Sequence, residues 1–350
     1  MGEARRAAQL TQAQLAERLG LERSAVSKIE SGTRRIGALE LTKLADALGL
    51  PVDHFLAAPV AVLSHRQPLA EEDESDAARS AFRTEAQLSS WLRDVRQLRG
   101  FGVLPERELW GYPGKAPDNS AYRTAARWVR ERLGNAREPL GSMAEVCARA
   151  GQWPLVAAIP GDGASLVDGD IAVCVISERG DPGRRRATAA HELGHLIMGD
   201  AYSNDLGVHA SVDERERAIE AFAAELLLPT AAIESRWIAG SPEREQLIGL
   251  AARYRVSWTL ALIQAERAEV IDSDSRNELT ARRPTRAEFL QALGWVPEPD
   301  LSAVKVAPAY ADAVLAALRQ RMVTRARAVE MMHGQVSLAD LPPDDDDGDG

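Results

Sequence analysis

Apolar residues recur at helical spacing over most of the chain, and only two short runs depart from it. Between residues 3 and 57 brief helical patterns are interrupted by Gly20, Gly32, Gly37 and Gly49 and closed by Pro51, which predicts a compact all-helical unit. Phe82, Leu88, Leu92, Val95 and Leu98 predict a helix, and a Gly- and Pro-rich stretch covers 100–118. Further helices are expected from Ser120 to Leu133 and from Ser142 to Ala150. PLVAAIP (154–160) and IAVCVIS (171–177) read as strands, and GDGASLVDGD between them reads as a turn, so the two runs are expected to pair as a hairpin. Helical spacing then resumes, except around Tyr202 to Asp213. The expected class is mainly α with a small β-sheet (α+β).

Composition narrows this. A chain of 350 residues suggests two or three domains at roughly 150 residues each. Residues 68–80 are acidic and read as a linker, and the closing PPDDDDGDG reads as a disordered acidic tail. No apolar run approaches the ~18 residues of a membrane span, and the first residues lack the apolar core of a secretory signal. The only cysteines, Cys147 and Cys174, exclude a multi-disulfide scaffold and a four-cysteine zinc site, so the expected compartment is the cytoplasm. A net charge of -10 argues against one large basic surface, yet leaves room for a small DNA-binding module within an acidic chain.

LTQAQLAERLGLERSAVSKIESGTRRI offers such a module. Thr11 is expected to cap a helix with Leu15, Ala16 and Leu19 inside, Gly20 to permit a tight turn, and Ser24 to cap a second helix with Val26 and Ile29 inside. That spacing turns Ser24, Ala25, Ser27 and Lys28 outward, where they could reach base edges in a major groove. Gln12, Lys28, Arg34 and Arg35 could touch phosphates. From Arg5 to Phe55 the segment resembles the Xre/Cro family of helix-turn-helix regulators. Thr11-Gln12-x-x-Leu15-Ala16 and Ser24-x-Val26-Ser27-x-Ile29-Glu30-x-Gly32 carry the likeness. The candidate DNA-contacting set is Gln12, Ser24, Ser27, Lys28 and Arg34.

The second chemical signal is His191-Glu192-Leu193-Gly194-His195. Positions i and i+4 share one helix face, so two imidazoles at that spacing can bind one zinc ion, and Glu192 can take a proton from water held there and pass it to a leaving amine. This is the zincin pattern. A catalytic zinc usually has a third protein ligand. Glu216 and Glu220 lie one turn apart in DERERAIEAFAAELLLP, Asp213 could join their row, and His209 would make a three-histidine site. For the oxyanion of peptide hydrolysis the candidates are Tyr202, His209, Tyr254 and an arginine from Arg184 to Arg186.

Residues 120 to about 270 resemble the ImmA/IrrE family of intracellular zinc metallopeptidases. The likeness rests on Ala126-x-x-Val129-Arg130-x-x-Leu133-Gly134, on Asp162-Gly163-x-Ser165, on Arg186-x-Thr188-x-Ala190-His191-Glu192-Leu193-Gly194-His195 and on Phe222-Ala223-Ala224-Glu225-Leu226-Leu227-Leu228-Pro229. The family's E-x-x-A-N-x-F-A motif stands here as Glu216-x-x-Ile219-Glu220-x-Phe222-Ala223. The resemblance therefore implies metal ligands His191, His195 and Glu216 with Glu192 as general base. The chain departs from the motif at Ile219 and Glu220, which leaves Glu220 as the competing third ligand. Residues 247–265 resemble the helix-turn-helix-like unit that follows the family's peptidase core, and 325–342 a short helical module in which His333 reads as a surface histidine and Met331 and Met332 as packing.

The expected layout is a DNA-binding domain (1–60), a linker with one or more helices (61–118), a zincin-like metallopeptidase domain (119–270), a helical C-terminal region (271–340) and the tail (341–350). The implied function is a transcriptional regulator that binds operator DNA as a homodimer on an inverted repeat. It would also use one zinc ion, or another divalent metal such as manganese, to cleave a repressor-type protein in a bacterial stress or mobile-element response. The alternative is a regulator or antitoxin whose peptidase-like domain is a catalytically silent sensor or interaction domain.

Overall fold

The computed structural model describes residues 1–50, 52–56, 64–66, 74–114, 119–199, 209–293, 300–301 and 305–342. Tyr202, the side chains of His209 and Asp213, residues 57–63 and 67–73 of the first linker and all but the start of the tail lie outside that description.

Four helices form the N-terminal unit: α1 (Gly2–Ala7), α2 (Gln12–Leu19), α3 (Arg23–Glu30) and α4 (Ala38–Leu48). Thr11 and Gln14 close a capping box at the start of α2, and Gly20 ends it in the left-handed region at φ 67°. Leu15, Ala16, Leu19, Val26, Leu44 and Leu48 make the small core. Ser24 does not cap α3: Glu22 holds the extended cap position without a side-chain bond, and Ser24 sits inside the first turn, its hydroxyl 3.3 Å from the Glu22 carboxylate. The expected boundary is off by about two residues, the usual slack at a helix end.

After β1 (Ser64–Arg66) comes a helix of 27 residues, α5 (Glu74–Gly100), which starts inside the acidic stretch read as linker. Phe82 and Ala86 join the N-terminal core, whereas Leu88, Trp91, Leu92, Val95 and Leu98 are fully buried against the sheet. Burial of each such side chain is worth about 1.5–3 kcal/mol, so this half of the helix is structural core.

The remaining elements are α6 (Asn119–Arg132), α7 (Met143–Arg149), β2 (Gln152–Ala157), β3 (Gly163–Asp168), β4 (Ile171–Ser177), α8 (Pro182–Met198), α9 (His209–Leu227), α10 (Thr230–Glu234), α11 (Glu243–Tyr254), α12 (Trp258–Arg267), α13 (Ser273–Ala281), α14 (Arg286–Leu293), α15 (Pro308–Arg319) and α16 (Arg325–Met331). The sheet runs β1-β3-β4-β2. The two apolar runs read as a hairpin are neighbours, but β2 and β4 pair in parallel. The hairpin is instead β3–β4, turned by Gly169 and Asp170 with Gly169 at φ 62°. β3 was hidden inside the expected turn because Gly163, Ala164 and Ser165 are small and its flanks are Asp and Gly.

β4 divides the interior. Ala172, Cys174 and Ile176 face α6–α9, and Ile171, Val173 and Val175 face α5, α15 and α16, the alternation that a central strand imposes. His333 belongs to this second core, not to the surface. It meets the Trp91 ring edge-on at 5.3 Å, with Nε2 3.3 Å from the buried Asp94 carboxylate, because its φ of 49° turns the chain back over α5. Met331 and Met332 are buried, as expected.

Candidate metal centre

α8 starts at Asp181, whose side chain accepts from the Arg184 amide, has Pro182 in its first turn, and ends at Gly199 at φ 66°. Its middle is entirely buried: His191 is 1 % and His195 2 % exposed, and Glu192 has no exposed surface. Burial at this depth follows from a close crossing with α9. A Cβ on Gly194 would stand 2.9 Å from Phe222 Cδ1 and 3.2 Å from Ile219 Cγ2, so any side chain there would push the two helices apart. Ile219, one of the departures from the family motif, fills the space that Gly194 leaves.

Ile219 and Phe222 fix the rotation of α9, and Glu216, one turn earlier on the same stripe, is delivered to the histidines. His191 Nε2 lies 3.1 Å from His195 Nε2 and 3.2 Å from Glu216 Oε2, and His195 Nε2 lies 3.7 Å from Glu216 Oε1. Tetrahedral ligands at about 2.0–2.1 Å from zinc lie about 3.3 Å from each other, so these separations fit one ion. Glu216 keeps 30 % of its side chain exposed, which leaves the group open to solvent on one side. Glu220 is exposed and stands outside the cluster.

Glu192 is held from the sheet side. Ser165 Oγ donates to its Oε2 at 2.8 Å, and Gln152 Nε2 donates to its backbone carbonyl at 3.0 Å. A Cβ on Gly163 would reach Thr188 Cγ2 at 2.6 Å and Glu192 Oε1 at 3.1 Å, so glycine lets β3 lie against the carboxylate. Arg184 pins the preceding turn through Asp162 at 2.7 Å. The Asp162-Gly163-x-Ser165 motif thus supports Glu192, a role its sequence did not reveal. Gln152 gave no signal at all, because its partner is a backbone atom 40 positions away. Beside His195 a cleft of about 320 Å³ is walled by Leu109, Trp110, Gly111, Val167 and Leu196.

The described oxyanion candidates are engaged elsewhere. Tyr254 donates to the Arg137 carbonyl at 2.7 Å, Arg185 to the carbonyls of Glu178 and Gly180, and Arg184 to Asp162. Arg186 is buried against Asp300, which also accepts from the Met143 amide at 2.8 Å and from Ser142. Burial pulls the Arg186 guanidinium down to about 10 although Asp300 opposes it. Tyr202 and the His209 side chain lie outside the described residues.

In the N-terminal unit Ser24, Ser27 and Lys28 are exposed on α3. Gln12 is half-buried, its Nε2 donating to Glu30 at 2.8 Å, and Arg34 pairs with Glu40 at 2.7 Å. Arg5 completes the first group, its Nε 2.7 Å from Glu30. Burial raises the Glu30 carboxyl, but hydrogen bonds from Arg5 and Gln12 and the Arg5 charge outweigh it and leave the group below its ordinary range.

Two family models match the chain. One, described as Helix-turn-helix, covers residues 1–55, and the other, from a peptidase family and described as IrrE N-terminal-like domain, covers residues 156–265. The chain joins a helix-turn-helix domain to an IrrE N-terminal-like domain of a peptidase family. No curated protein matches it. The IrrE N-terminal-like match runs from the end of β2 into α12 and takes in both histidines, Glu192 and Glu216. α5, α15 and α16, which cover the far face of the sheet, lie beyond it. No helix among the described residues is long and apolar enough to cross a membrane.

Proposed function

We propose that this chain is a DNA-binding transcriptional regulator with a zinc-dependent endopeptidase domain, and that it cleaves a protein partner. The observation that carries the reading is the convergence of His191, His195 and Glu216 from two helices, with the Glu192 carboxylate held beside them by Ser165. Zinc, when bound by His191, His195 and Glu216, would supply a Lewis acid that polarises the scissile carbonyl and acidifies water. Glu192 takes a proton at its carboxylate and returns it to the departing amine. The Ser165 hydrogen bond fixes the rotamer from which it does so, and burial of α8 keeps the carboxylate away from bulk water. The helix-turn-helix domain binds a major groove through Ser24, Ser27 and Lys28, with Gln12 and Arg34 at its margin. A homodimer on an inverted repeat is the natural arrangement.

A DNA-binding domain on the same chain favours a substrate met at DNA, a repressor-type protein in a bacterial stress or mobile-element response, and a cytoplasmic, nucleoid-associated location. The deciding experiment is elemental mass spectrometry of the wild type beside His191→Ala and Glu216→Ala. About one zinc per wild-type chain, lost in both variants, is expected. Metal retained in Glu216→Ala would shift the third ligand to another residue, and wild type that takes up no zinc refutes the peptidase. Glu192→Gln should keep the metal and DNA binding and abolish cleavage.

A further inference from the structure

The loop between α6 and α7 is encased in arginine. Arg130 donates to the Ala136 carbonyl at 2.9 Å and to the Glu138 carbonyl. Arg186 donates to the Gly141 carbonyl at 2.9 Å, and Arg255 to those of Leu140 and Gly141 at 2.7 and 3.0 Å. The Glu138 carboxylate is met by Arg236 at 2.5 Å and by Arg253 at 3.9 Å, and the loop itself carries Arg137. Among the described residues the acids paired with these arginines are Glu138 and the buried Asp300. Burial pulls the Arg130 guanidinium down to about 10, and the neighbouring Arg186 charge pulls the same way. Arg130 stays charged at neutral pH, so positive charge is concentrated here on a chain whose net charge is -10.

The arginines divide into two kinds. Arg130 and Arg186 are buried and engaged with backbone carbonyls and Asp300, so they hold the loop. Arg137 and Arg253 are open to solvent. The Arg137 carbonyl accepts from the Tyr254 hydroxyl at 2.7 Å, while its exposed guanidinium has no partner among the described residues. Arg253 keeps 52 % of its side chain exposed and approaches Glu138 only at 3.9 Å, where Arg236 already sits at 2.5 Å. Two guanidinium groups with donors to spare therefore stand on a backbone pinned beneath them. Their planar fork matches the oxygens of a phosphate. The next helix, α12, exposes Thr259 and Arg267, and Arg267 is bonded to Gln264 at 3.1 Å, so it presents no row of side chains for base edges.

We propose that this loop is a second DNA contact, in which Arg137 and Arg253 bind backbone phosphates without reading sequence. Charge complementarity calls for a polyanion, and the helix-turn-helix domain makes duplex DNA the polyanion that this chain meets. Contacts of this kind add affinity and fix orientation but carry no sequence information. The inference rests on the DNA-binding reading above and adds to it a foothold outside the helix-turn-helix domain. Arg186 joins the loop to α8, the helix of the metal centre, so DNA held here is held by the part of the chain that carries that centre.

The test uses the full chain and a fluorescent random-sequence duplex of roughly 40 base pairs, with anisotropy read from about 50 to 200 mM salt. The variant is Arg137→Ser/Arg253→Ser, alone and on top of Lys28→Glu. Arg149→Ser/Arg319→Ser, which removes two exposed arginines elsewhere, is the control for net charge. The loop pair should lower the salt slope by about two, one for each lost phosphate contact, and weaken binding at least about fivefold at the lower salt. The same loss should appear in the Lys28→Glu background, and the control should bind as wild type does. A slope and affinity equal to wild type in both backgrounds overturn the proposal, and so does an equal loss in the control. A poly-glutamate peptide of roughly 20 residues is the competing probe. If the loop pair loses this peptide and keeps its DNA binding, the surface takes an acidic protein segment and the proposal falls. If the loop pair does not fold, Arg137→Ser alone must lower the slope by about one, and no change overturns the proposal. Wild type that binds no duplex removes the DNA-binding reading and this proposal together, whereas binding that depends on Lys28 but not on the loop pair removes this proposal alone.

Discussion

Gly194→Ala sets helix propensity against packing at the crossing that builds the centre. In an open helix, replacing an interior glycine with alanine gains about 0.8–1.0 kcal/mol. Here the new Cβ meets Phe222 Cδ1 at 2.9 Å and Ile219 Cγ2 at 3.2 Å, and both partners are fully buried. Carbon atoms prefer about 3.5–4.0 Å, so α8 and α9 must part by several tenths of an ångström or strain these side chains. Overpacking of this kind costs about 1–3 kcal/mol. The two effects leave the zinc-free variant between unchanged and about 2 kcal/mol less stable.

The larger consequence is at the metal. His195 is the next residue on α8, and Glu216 precedes Ile219 by one turn on α9, so parting the helices separates the ligands. Metal sites tolerate about 0.2 Å in ligand distance, and zinc affinity should fall roughly tenfold or more, the scale seen when support around ligands is disturbed. Gly249→Ala is the control. It lies in α11 with no atom within 4 Å of the added Cβ, so it should gain up to about 1 kcal/mol and bind zinc as wild type does. Chelator competition gives the affinities and thermal melting of the zinc-free chains gives the stabilities. If Gly194→Ala were stabilised like Gly249→Ala and bound zinc equally well, the crossing would not be what positions the ligands.

Three further outcomes are expected. Because the Glu30 carboxyl is depressed in the folded state, its contribution is complete above its unfolded value of 4.5 and is lost as pH falls through the lower folded value. Melting of the helix-turn-helix domain should therefore drop at acid pH, and Glu30→Gln should flatten that dependence. Arg186→Met leaves Asp300 buried without its cation and should cost about 3–5 kcal/mol in thermal denaturation, with only part of it recovered in Arg186→Met/Asp300→Leu, because Asp300 also accepts from the Met143 amide. Lys28→Ala should weaken binding to duplex DNA and reduce the salt slope by about one, whereas Gln12→Ala should act mainly through stability, because Gln12 is bonded to Glu30. Salt-dependent anisotropy beside melting curves separates the two.

The features legible in the sequence are those whose partners lie within one or two turns. Thr11 with Gln14 and His191 with His195 are fixed by helical geometry alone, and both are where the spacing put them. The choice between Glu216 and Glu220 was not legible, since both recur one turn apart on one helix. It depends on the rotation of α9, which the Gly194–Ile219–Phe222 contact sets. The strand pairing was hidden for a related reason. A parallel neighbour leaves no turn signature, and β3 carries small residues because α8 presses on it through Thr188 and Glu192.

α5 begins inside the acidic stretch read as linker and continues through the helix expected from Phe82 to Leu98. Its first turns are acidic and polar, as a solvated connection would be, yet the same continuous helix places Phe82 and Ala86 on the helix-turn-helix core and Trp91 under the sheet, where its Nε1 donates to the Trp153 carbonyl at 2.8 Å. A helix that contributes to two cores couples them mechanically in a way that a flexible tether does not. β1 leaves the helix-turn-helix domain just before that helix and lies on the strand that supports Glu192. A shift of the DNA-binding domain relative to the sheet therefore acts on α5, which contributes to both cores. Exchange of the Thr84–Leu98 amides in the DNA-bound chain reads this directly: protection unchanged from the free chain would mean that DNA binding leaves α5 undisturbed, and a change there would make the helix the mechanical link between the two cores.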